Sequence, residues 1–236
     1  MGDADRVVFY YVDSGSKFHL LDGDKISTLF AKFLSKQLEL AHLEHSLKIG
    51  VVQTAYANGS STAYIKIRCT VPCLALRQVL NTCIMKLPLT NGHGTIIFSE
   101  KFHRTIKSEL SKSKLNGDTL ALRTLKCFSE LINQTVGDAI SDMLAVLATL
   151  AILKMSPVDW DEEYTDLPNK LVKCIVPVRS IFQTTDQERK LLNPVGVAGQ
   201  DRSCGSQVSH GKKLCQSQWY GGCGEGFMRN VRTPLS

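Results

Sequence analysis

The chain has 236 residues, 43% of them hydrophobic and 21% charged, which excludes an intrinsically disordered protein. The longest apolar run, residues 143–155, is too short for a bilayer-spanning helix of about 20 residues, and the charged start MGDADR predicts no secretory signal. The net charge of +6 allows nucleic acid, an acidic membrane or a phosphorylated substrate as partner. Without secretion, the eight cysteines are expected to be free thiols or metal ligands.

The N-terminal third predicts a hairpin, a helix and the beginning of an α/β unit. Its predicted elements are a strand at Val7–Val12, a strand at Phe18–Leu21, a helix at Lys25–Ala41 with Asp24 as N-cap, a buried strand at Leu47–Ala57 and a short helix from Thr62.

The middle of the chain predicts mainly helices, with apolar residues at helical spacing. The predicted elements are a strand at Thr95–Phe98, helices at Phe102–Lys114, Leu120–Asn133, Asp138–Met155 and Val158–Tyr164, a strand at Lys170–Val178 that Pro177 suggests is an edge, and a helix at Thr185–Leu192. In the helix from Asp138, the expected apolar face carries Ile140, Met143, Leu144, Leu147 and Leu150.

Two segments break this pattern. Lys66–Thr90 has four basic residues, no acidic residue, three cysteines and no clean period. Val195–Ser236 holds eight of the 17 glycines and three further cysteines, again without a sustained helix or strand period. Outside these two segments the net charge is −1 and two cysteines remain, so the basic, cysteine-rich composition belongs to the irregular segments.

Two short motifs could carry chemistry. Asp3 and Asp5, two positions apart on a loop before a strand, could face one Mg²⁺ ion, or they could form an exposed acidic terminus. Asn91, Gly92 and His93 offer an amide and an imidazole that suit sugar hydroxyl and carbonyl groups, or they could form an ordinary Asn-Gly turn.

Other candidate sites are weaker. The cysteines include no C-x-x-C pair, so a structural zinc site is disfavoured. Ser60 and Ser61 follow Asn-Gly, but a phosphate-binding Walker loop would need a lysine, so a helix cap is favoured. The basic segments lack interleaved aromatic residues apart from Trp219 and Tyr220, which argues against nucleic acid.

Six segments, in this order, resemble the phosphoacetylglucosamine mutases of the α-D-phosphohexomutase superfamily: GDADRVVFYY, HLLDGDKISTL, IGVVQTAYANGSST, NGHGTIIFS, VGDAISDML and YTDLPNKLVK. The resemblance covers Gly2–Pro194 except roughly Lys66–Thr90. It implies an α/β fold with mixed sheets. It also implies three parts: the end of metal-binding domain two at 1–45, sugar-binding domain three at 46–182 with 66–90 aberrant, and a remnant of phosphate-binding domain four at 183–236 with 195–236 aberrant and disordered.

The resemblance further implies a cytoplasmic enzyme that interconverts N-acetylglucosamine 6-phosphate and 1-phosphate, a step that supplies UDP-N-acetylglucosamine. A phosphoserine gives its phosphoryl group to the sugar and takes the other one back. By position, Asp3 and Asp5 correspond to two of three aspartates that bind Mg²⁺, and Arg6 to an arginine near the phosphoryl group. Asn91, Gly92 and His93 correspond to the sugar-binding loop. The implied partners are N-acetylglucosamine phosphates, with no nucleic acid and no membrane.

The sequence departs from the family pattern at four places. Met1 stands at the first metal aspartate, and Leu89 stands at a glutamate expected to bind sugar hydroxyls. A phosphoserine domain is expected before Met1, and a phosphate loop with an R-P-S-G-T-E-D core is expected after Pro194. We therefore expect no mutase turnover from this chain. The alternative is a non-catalytic remnant that binds phosphosugar or pairs with a mutase.

We propose that both irregular segments are out-of-frame translation of a once ordinary gene. Back-translation of Cys73–Lys86 from the third codon base allows CAKTGVKHLHHE, which resembles the family's third-domain segment. Back-translation of Lys213–Phe227 from the second base allows FVSPSGTEDVVRV, which resembles the family's phosphate loop with serine in place of arginine. We expect both segments to lack a selected fold.

Overall fold

The computed structural model forms two compact units, residues 1–165 and 166–236. The structure describes residues 6–52, 57–68, 73–74, 96–113, 119–167, 170–174, 179–185, 190–193, 217–221 and 227–231.

Within the described part of the first unit, helices outnumber strands. Its elements are β1 (Phe9–Val12), β2 (Phe18–Leu21), α1 (Gly23–Leu40), β3 (Val51–Val52), α2 (Gly59–Arg68), β4 (Cys73–Leu74), α3 (Glu100–Ser113), α4 (Leu120–Leu131), α5 (Ala139–Leu153) and α6 (Pro157–Asp161). The predicted hairpin and the predicted helices of this unit are all present. The predicted α/β class is confirmed; the described sheets of this unit are two separate pairs, β1–β2 antiparallel and β3–β4 parallel.

The hairpin places alternate residues on opposite faces. Strand β1 pairs with β2 from Phe9 opposite Leu21 to Val12 opposite Phe18. The turn is fixed by the Asp13 carboxylate, whose Oδ1 accepts hydrogen bonds from the amides of Gly15 and Lys17, both at 2.9 Å. One face therefore packs on the core while the other points to solvent.

Helix α1 lies at the centre of the first unit and contacts α2, α4, α5 and α6. Its N-cap is Asp22, whose side chain accepts from the amides of Asp24 and Lys25. The predicted N-cap, Asp24, is therefore wrong by two residues. The Asp24 carboxylate instead accepts from the amide of Asn58 at 2.5 Å, which ties the start of α1 to the start of α2.

The hydrophobic core surrounds α1. Its largest fully buried side chains come from β2, α1, α2, α3 and α6: Leu21, Ile26, Leu29, Phe30, Phe33, Leu34, Ile65, Phe102 and Trp160, with Leu47 between α1 and β3. Helix α4 adds Leu122, Leu125 and Phe128, as its spacing predicted.

Helix α5 buries a different face from the predicted one, apart from Leu150. Ile140 is 58% exposed and Leu147 is 49% exposed, whereas Asp142 and Thr149 are buried. The helix is apolar almost all round, so periodicity alone could not define its inner face. Its buried apolar residues are Ala139, Ala145, Val146 and Leu150.

Two sequence predictions of element type are also wrong. Residues 96–98 of the predicted strand Thr95–Phe98 lie in no strand, and the Phe98 amide donates to the Gln134 side chain, whose amide donates to the Ile96 carbonyl. The predicted helix Thr185–Leu192 is replaced by β6 (Gln183–Thr185) and β7 (Lys190–Asn193), which form an antiparallel pair. Pairing of Gln183–Thr185 with Lys190–Asn193 is more stable than a helix would be, because the helical spacing of apolar residues in this segment is weak.

The second unit contains a three-stranded antiparallel sheet in the order β5–β9–β8. These strands are β5 (Lys170–Cys174), β8 (Ser217–Gly221) and β9 (Phe227–Val231), and a short 3₁₀ turn follows β5 at Arg179–Ile181. Strand β5 is at an edge, as Pro177 suggested. Strands β8 and β9 lie within 195–236, where we expected no regular structure, so that expectation does not hold for residues 217–221 and 227–231.

In the described residues, none of the helices is long and apolar enough to cross a bilayer.

Candidate functional site

Arg6 is the one predicted site residue that the structure describes. It is exposed and lies three positions before β1. The predicted metal ligands Asp3 and Asp5 and the predicted sugar ligands Asn91, Gly92 and His93 lie outside the described residues. That these residues lie close together stays a prediction. The structure shows which contacts hold the neighbouring segments in place.

The exit of the Asn91–Gly94 loop is held by Gln134, which lies between α4 and α5. Gln134 Oε1 accepts from the Phe98 amide at 2.8 Å, and its Nε2 donates to the Ile96 carbonyl at 2.9 Å. The same Nε2 also donates to the Ile132 carbonyl at 3.1 Å. The Gln134 side chain thus satisfies backbone groups of Ile96 and Phe98, as the backbone of a paired strand would. Ile96 is two residues after Gly94.

The residues that follow are fixed by packing. Ile96 is fully buried, and Phe98 lies with its ring centroid 4.6 Å from that of Phe102. The Ser99 hydroxyl accepts from the Phe102 amide at 3.2 Å and caps α3. This anchoring fixes residues 96–99, which follow the predicted loop, relative to α3 and α4.

The Asn58–Ser61 turn lies at the start of α2 and caps that helix. The Ser60 amide donates to Asn58 Oδ1 at 3.0 Å, and the Asn58 amide donates to the Asp24 carboxylate. These backbone donors at the start of α2 are the groups that would hold an anion, and they already have acceptors. The helix-cap interpretation is confirmed, although the capping side chain is Asn58 and not a serine.

A polar cluster joins the hairpin to the end of α6. His19 Nδ1 lies 2.9 Å from Asp161 Oδ2, and His19 Nε2 lies 3.1 Å from Asp13 Oδ2. The Tyr11 hydroxyl donates to Asp161 Oδ2 at 3.0 Å, and the Tyr11 ring stacks on His19 at 4.5 Å. Partial burial and the Asp161 carboxylate raise the pKa of Tyr11 to about 12, so its hydroxyl stays a donor at neutral pH.

Lys25 is the buried cation of this cluster, with 3% of its side chain exposed. Its Nζ donates to the carbonyls of Asp161 and Tyr164, both at 2.6 Å, and lies 3.0 Å from Asp161 Oδ1. Burial opposes ionisation of Asp161, but the hydrogen bonds from Lys25 and His19 outweigh it and hold its pKa below the usual range. The cluster is fully paired, so its role is to fix β1, which follows Arg6, against α1 and α6.

A second ion pair extends this contact to α2. Lys32 Nζ lies 2.5 Å from Glu163 Oε1, and the Tyr64 hydroxyl donates to Glu163 Oε2. Burial raises the pKa of Glu163, but the hydrogen bonds from Lys32 and Tyr64 outweigh that effect and the net shift is downward. The segment after α6 therefore holds α1, α2 and the hairpin together.

Sequence reasoning missed both clusters and Gln134. The hydrogen-bonded partners in the two clusters are 99 to 150 positions apart, except for Asp13 with His19, and Gln134 is 36 and 38 positions from Phe98 and Ile96. The sequence carries one usable signal, which is that Lys25 interrupts the buried residues at the start of α1. A lysine there must find acceptors.

The described residues contain no group of three or more His, Cys, Asp or Glu side chains placed to hold a metal ion. Cys127 is free and exposed.

The comparisons with known proteins agree with one another. Residues 22–155 match the family model described as phosphoacetylglucosamine mutase AMG1, domain III. The chain is 84% identical over 205 residues to a phosphoacetylglucosamine mutase of Saccharomyces cerevisiae, covering 83% of this chain and 37% of that protein. It is 48% identical over 227 residues to one of Candida albicans, covering 92% and 41% respectively.

Solved structures extend the match to the whole fold. The Aspergillus fumigatus N-acetylphosphoglucosamine mutase in complex with GlcNAc-6P and magnesium is 40% identical, with a TM-score of 0.85. This match covers 98% of the present chain and 44% of that one. An N-acetylglucosamine-phosphate mutase in its product complex, a member of the α-D-phosphohexomutase superfamily, has a TM-score of 0.82 at 44% identity. The chain thus spans less than half the length of these relatives, and it belongs to the phosphoacetylglucosamine mutase family.

Proposed function

We propose that this chain binds N-acetylglucosamine phosphates and provides the sugar-binding part of a phosphoacetylglucosamine mutase, an isomerase acting by phosphoryl transfer. The supporting observation is the match of residues 22–155 to the family's domain III, together with a relative crystallised with GlcNAc-6P and magnesium. Nucleic acid and membrane partners are not part of this proposal, and the proposed location is the cytoplasm.

The residues proposed to contact ligands are those aligned with the family motifs. Asn91, Gly92 and His93 would bind the sugar hydroxyls, and Arg6 would contact the phosphoryl group. Asp3 and Asp5 would hold Mg²⁺, whose chemistry is to neutralise phosphate charge. The anchoring of residues 96–98 by Gln134 supports the loop part of this proposal, since a sugar-binding loop needs a fixed base.

We propose that the 236-residue chain by itself binds without turning substrate over. Leu89 stands where the family has a glutamate expected to contact sugar hydroxyls, so one polar contact is replaced by an apolar side chain. A buried hydroxyl without a partner costs about 1–3 kcal/mol, which predicts weak binding.

Calorimetry with N-acetylglucosamine 6-phosphate and Mg²⁺ tests the binding part. We expect measurable binding that a His93→Ala variant loses, while a His45→Ala variant, changed at an exposed histidine, keeps it. No heat of binding at millimolar sugar phosphate would refute the proposal. An assay with sugar phosphate, Mg²⁺ and a bisphosphate primer tests turnover, and product formation would refute the non-catalytic part.

A further inference from the structure

Asp142 is a buried acid whose side chain has no partner among the described residues. It lies in the first turn of α5 with 7% of its surface exposed, and neither a hydrogen-bond donor nor a cation contacts its carboxyl group there. Asp138, one turn earlier, caps the same helix, since its carboxylate accepts from the Ile140 amide at 3.0 Å. Two acids thus lie one turn apart at the start of α5, and one of them is buried.

The helices packed on α5 supply no cation to Asp142. These helices are α1 and α4, and Asp138 is the one charged group of the described residues that acts on the Asp142 carboxyl. The charged groups of α1 and α4 are exposed or bonded elsewhere: Lys36, Glu39 and Arg123 are exposed, Asp24 bonds to the Asn58 amide, and the ion pairs are Lys25 with Asp161, Lys32 with Glu163 and Lys126 with Glu130.

Asp142 therefore changes charge close to neutral pH. The start of a helix favours a carboxylate, but burial outweighs that effect here. Burial, together with the charge of Asp138, raises the pKa of Asp142 to about 7. The carboxyl group is protonated in weak acid and becomes ionised in weak base.

The first turn of α5 is hydrogen-bonded to the connection that carries Gln134. The Ser141 hydroxyl donates to the Asp138 carbonyl at 3.0 Å and accepts from the Asn133 amide at 3.4 Å. Asn133 also shapes this connection, because its Oδ1 accepts from the backbone amides two and three positions further on. The next residue is Gln134, whose side chain holds residues 96–98 behind the predicted sugar loop.

Ionisation of Asp142 disturbs this connection for two reasons. A carboxylate buried without a partner moves toward water or draws water in, and the Asp138 carboxylate one turn away repels it. Either response shifts the first turn of α5, including Ser141. The shift passes to the Gln134 side chain and to residues 96–98.

We propose that Asp142 is a positioning residue for the sugar-binding loop and that it acts in its protonated form. The proposal rests on the proposed function, since it concerns binding of N-acetylglucosamine 6-phosphate. Affinity for this sugar phosphate is highest in weak acid and falls as the carboxyl group loses its proton. If the protonated form alone binds, affinity follows the protonated fraction, which is about one tenth at pH 8.

Calorimetry with N-acetylglucosamine 6-phosphate and Mg²⁺ at pH 6, 7 and 8 compares the 236-residue chain with Asp142→Asn. Asparagine has nearly the shape of protonated aspartic acid and cannot ionise. The ratio of the two dissociation constants at each pH cancels the titration of the sugar phosphate itself, which occurs near pH 6. We expect the two chains to agree within about twofold at pH 6 and the parent to bind about tenfold more weakly at pH 8.

Glu130→Gln is the matched control, because it makes the same kind of substitution at an exposed acid on α4. This variant is expected to follow the parent chain at every pH.

Nuclear magnetic resonance gives a second readout that needs no sugar. In the parent chain, the Phe98 amide and the Gln134 side-chain amide are expected to shift with pH at the same midpoint as the Asp142 carboxyl carbon. In Asp142→Asn this shift is expected to be absent. The amide of Phe33, buried in α1, is the reference and is expected to show no such shift.

Two results would overturn the proposal: a ratio of dissociation constants that stays constant from pH 6 to pH 8, or no Asp142-dependent shift at Phe98 and Gln134. Absence of binding by both chains at pH 6 would instead refute the proposed function. The resonance shifts would then decide by themselves whether Asp142 positions the segment behind the loop.

Discussion

His19 Nδ1 lies 2.9 Å from Asp161 Oδ2, although 142 positions separate the two residues. This contact joins the hairpin that follows Arg6 to the end of α6. Asp161 also pairs with the buried Lys25, so one carboxylate connects two elements far apart in the sequence. The first unit depends on this carboxylate for the position of its N-terminal strand.

Asp161→Ala is expected to lower the free energy of unfolding by about 3 kcal/mol, because it leaves the buried Lys25 ammonium without its counter-charge. Urea denaturation followed by circular dichroism measures the change. Glu162→Ala, an exposed neighbour, is the control and is expected to change stability by less than about 0.5 kcal/mol. Equal effects of the two substitutions would show that the ion pair does not stabilise the unit.

Asp142 is expected to make the first unit less stable as pH rises. Burial and the nearby Asp138 raise the pKa of Asp142 to about 7, so the folded state holds a proton that the unfolded chain releases near pH 4. Stability therefore falls between about pH 4 and pH 7. Asp142→Asn is expected to be more stable than the parent by about 1–2 kcal/mol at pH 8 and nearly equal to it at pH 4.

Asp161 is expected to give the opposite pH dependence of stability to Asp142, and the two carboxylates can be compared within the same unit. Its pKa is below the usual range, so its stabilising effect is complete above about pH 4 and is lost as pH falls through the lower folded value. Asp161→Asn is therefore expected to differ from the parent chain at pH 7 and to converge with it in acid. Unfolding curves at four pH values distinguish the two carboxylates, and parallel curves for both variants would contradict the assignment.

Gln134→Met is expected to speed hydrogen exchange at the Phe98 amide by about 10- to 100-fold, because the methionine cannot accept that hydrogen bond. The amide of Asp142, which donates to the Asp138 carbonyl, is the control and is expected to exchange unchanged. Unchanged protection at Phe98 would show that Gln134 does not anchor the segment after the predicted sugar loop.

Leu89→Glu is expected to strengthen binding of N-acetylglucosamine 6-phosphate by about tenfold, because it restores a side chain that can accept hydrogen bonds from sugar hydroxyls. Calorimetry on the two chains measures the difference. Leu87→Glu places the same charge two positions away and is the matched control. Equal affinity of the parent and the Leu89→Glu variant would show that Leu89 is not the cause of weak binding.

The gene is expected to encode CAKTGVKHLHHE and FVSPSGTEDVVRV in shifted frames across Cys73–Lys86 and Lys213–Phe227. Sequencing of the genomic locus and transcript across both segments is the measurement. Codons that cannot yield these peptides in any frame would refute the shifted-frame hypothesis.

Short sequence patterns correctly predicted helix α4 and the β1–β2 hairpin, which depend on residues close together in the sequence. Helix α4 has its apolar residues at helical spacing, and Leu122, Leu125 and Phe128 are buried as expected. The hairpin follows from two short β-branched and aromatic runs around a turn. Prediction failed where the local period was weak, as at Thr185–Leu192, where a strand pair replaces the predicted helix, and where long-range packing decides, as for the inner face of α5.

The sequence by itself determined the family and the hairpin and helices of the first unit, and it supplies the predicted site residues Asp3, Asp5, Arg6 and Asn91–His93, because each of these depends on short runs of residue types. Only the tertiary structure decided the inner face of α5, the pairing of Lys25 with Asp161 and the anchoring role of Gln134. A buried charge or amide is paired by whichever group folding brings within about 3 Å, and that partner can be more than 100 positions away.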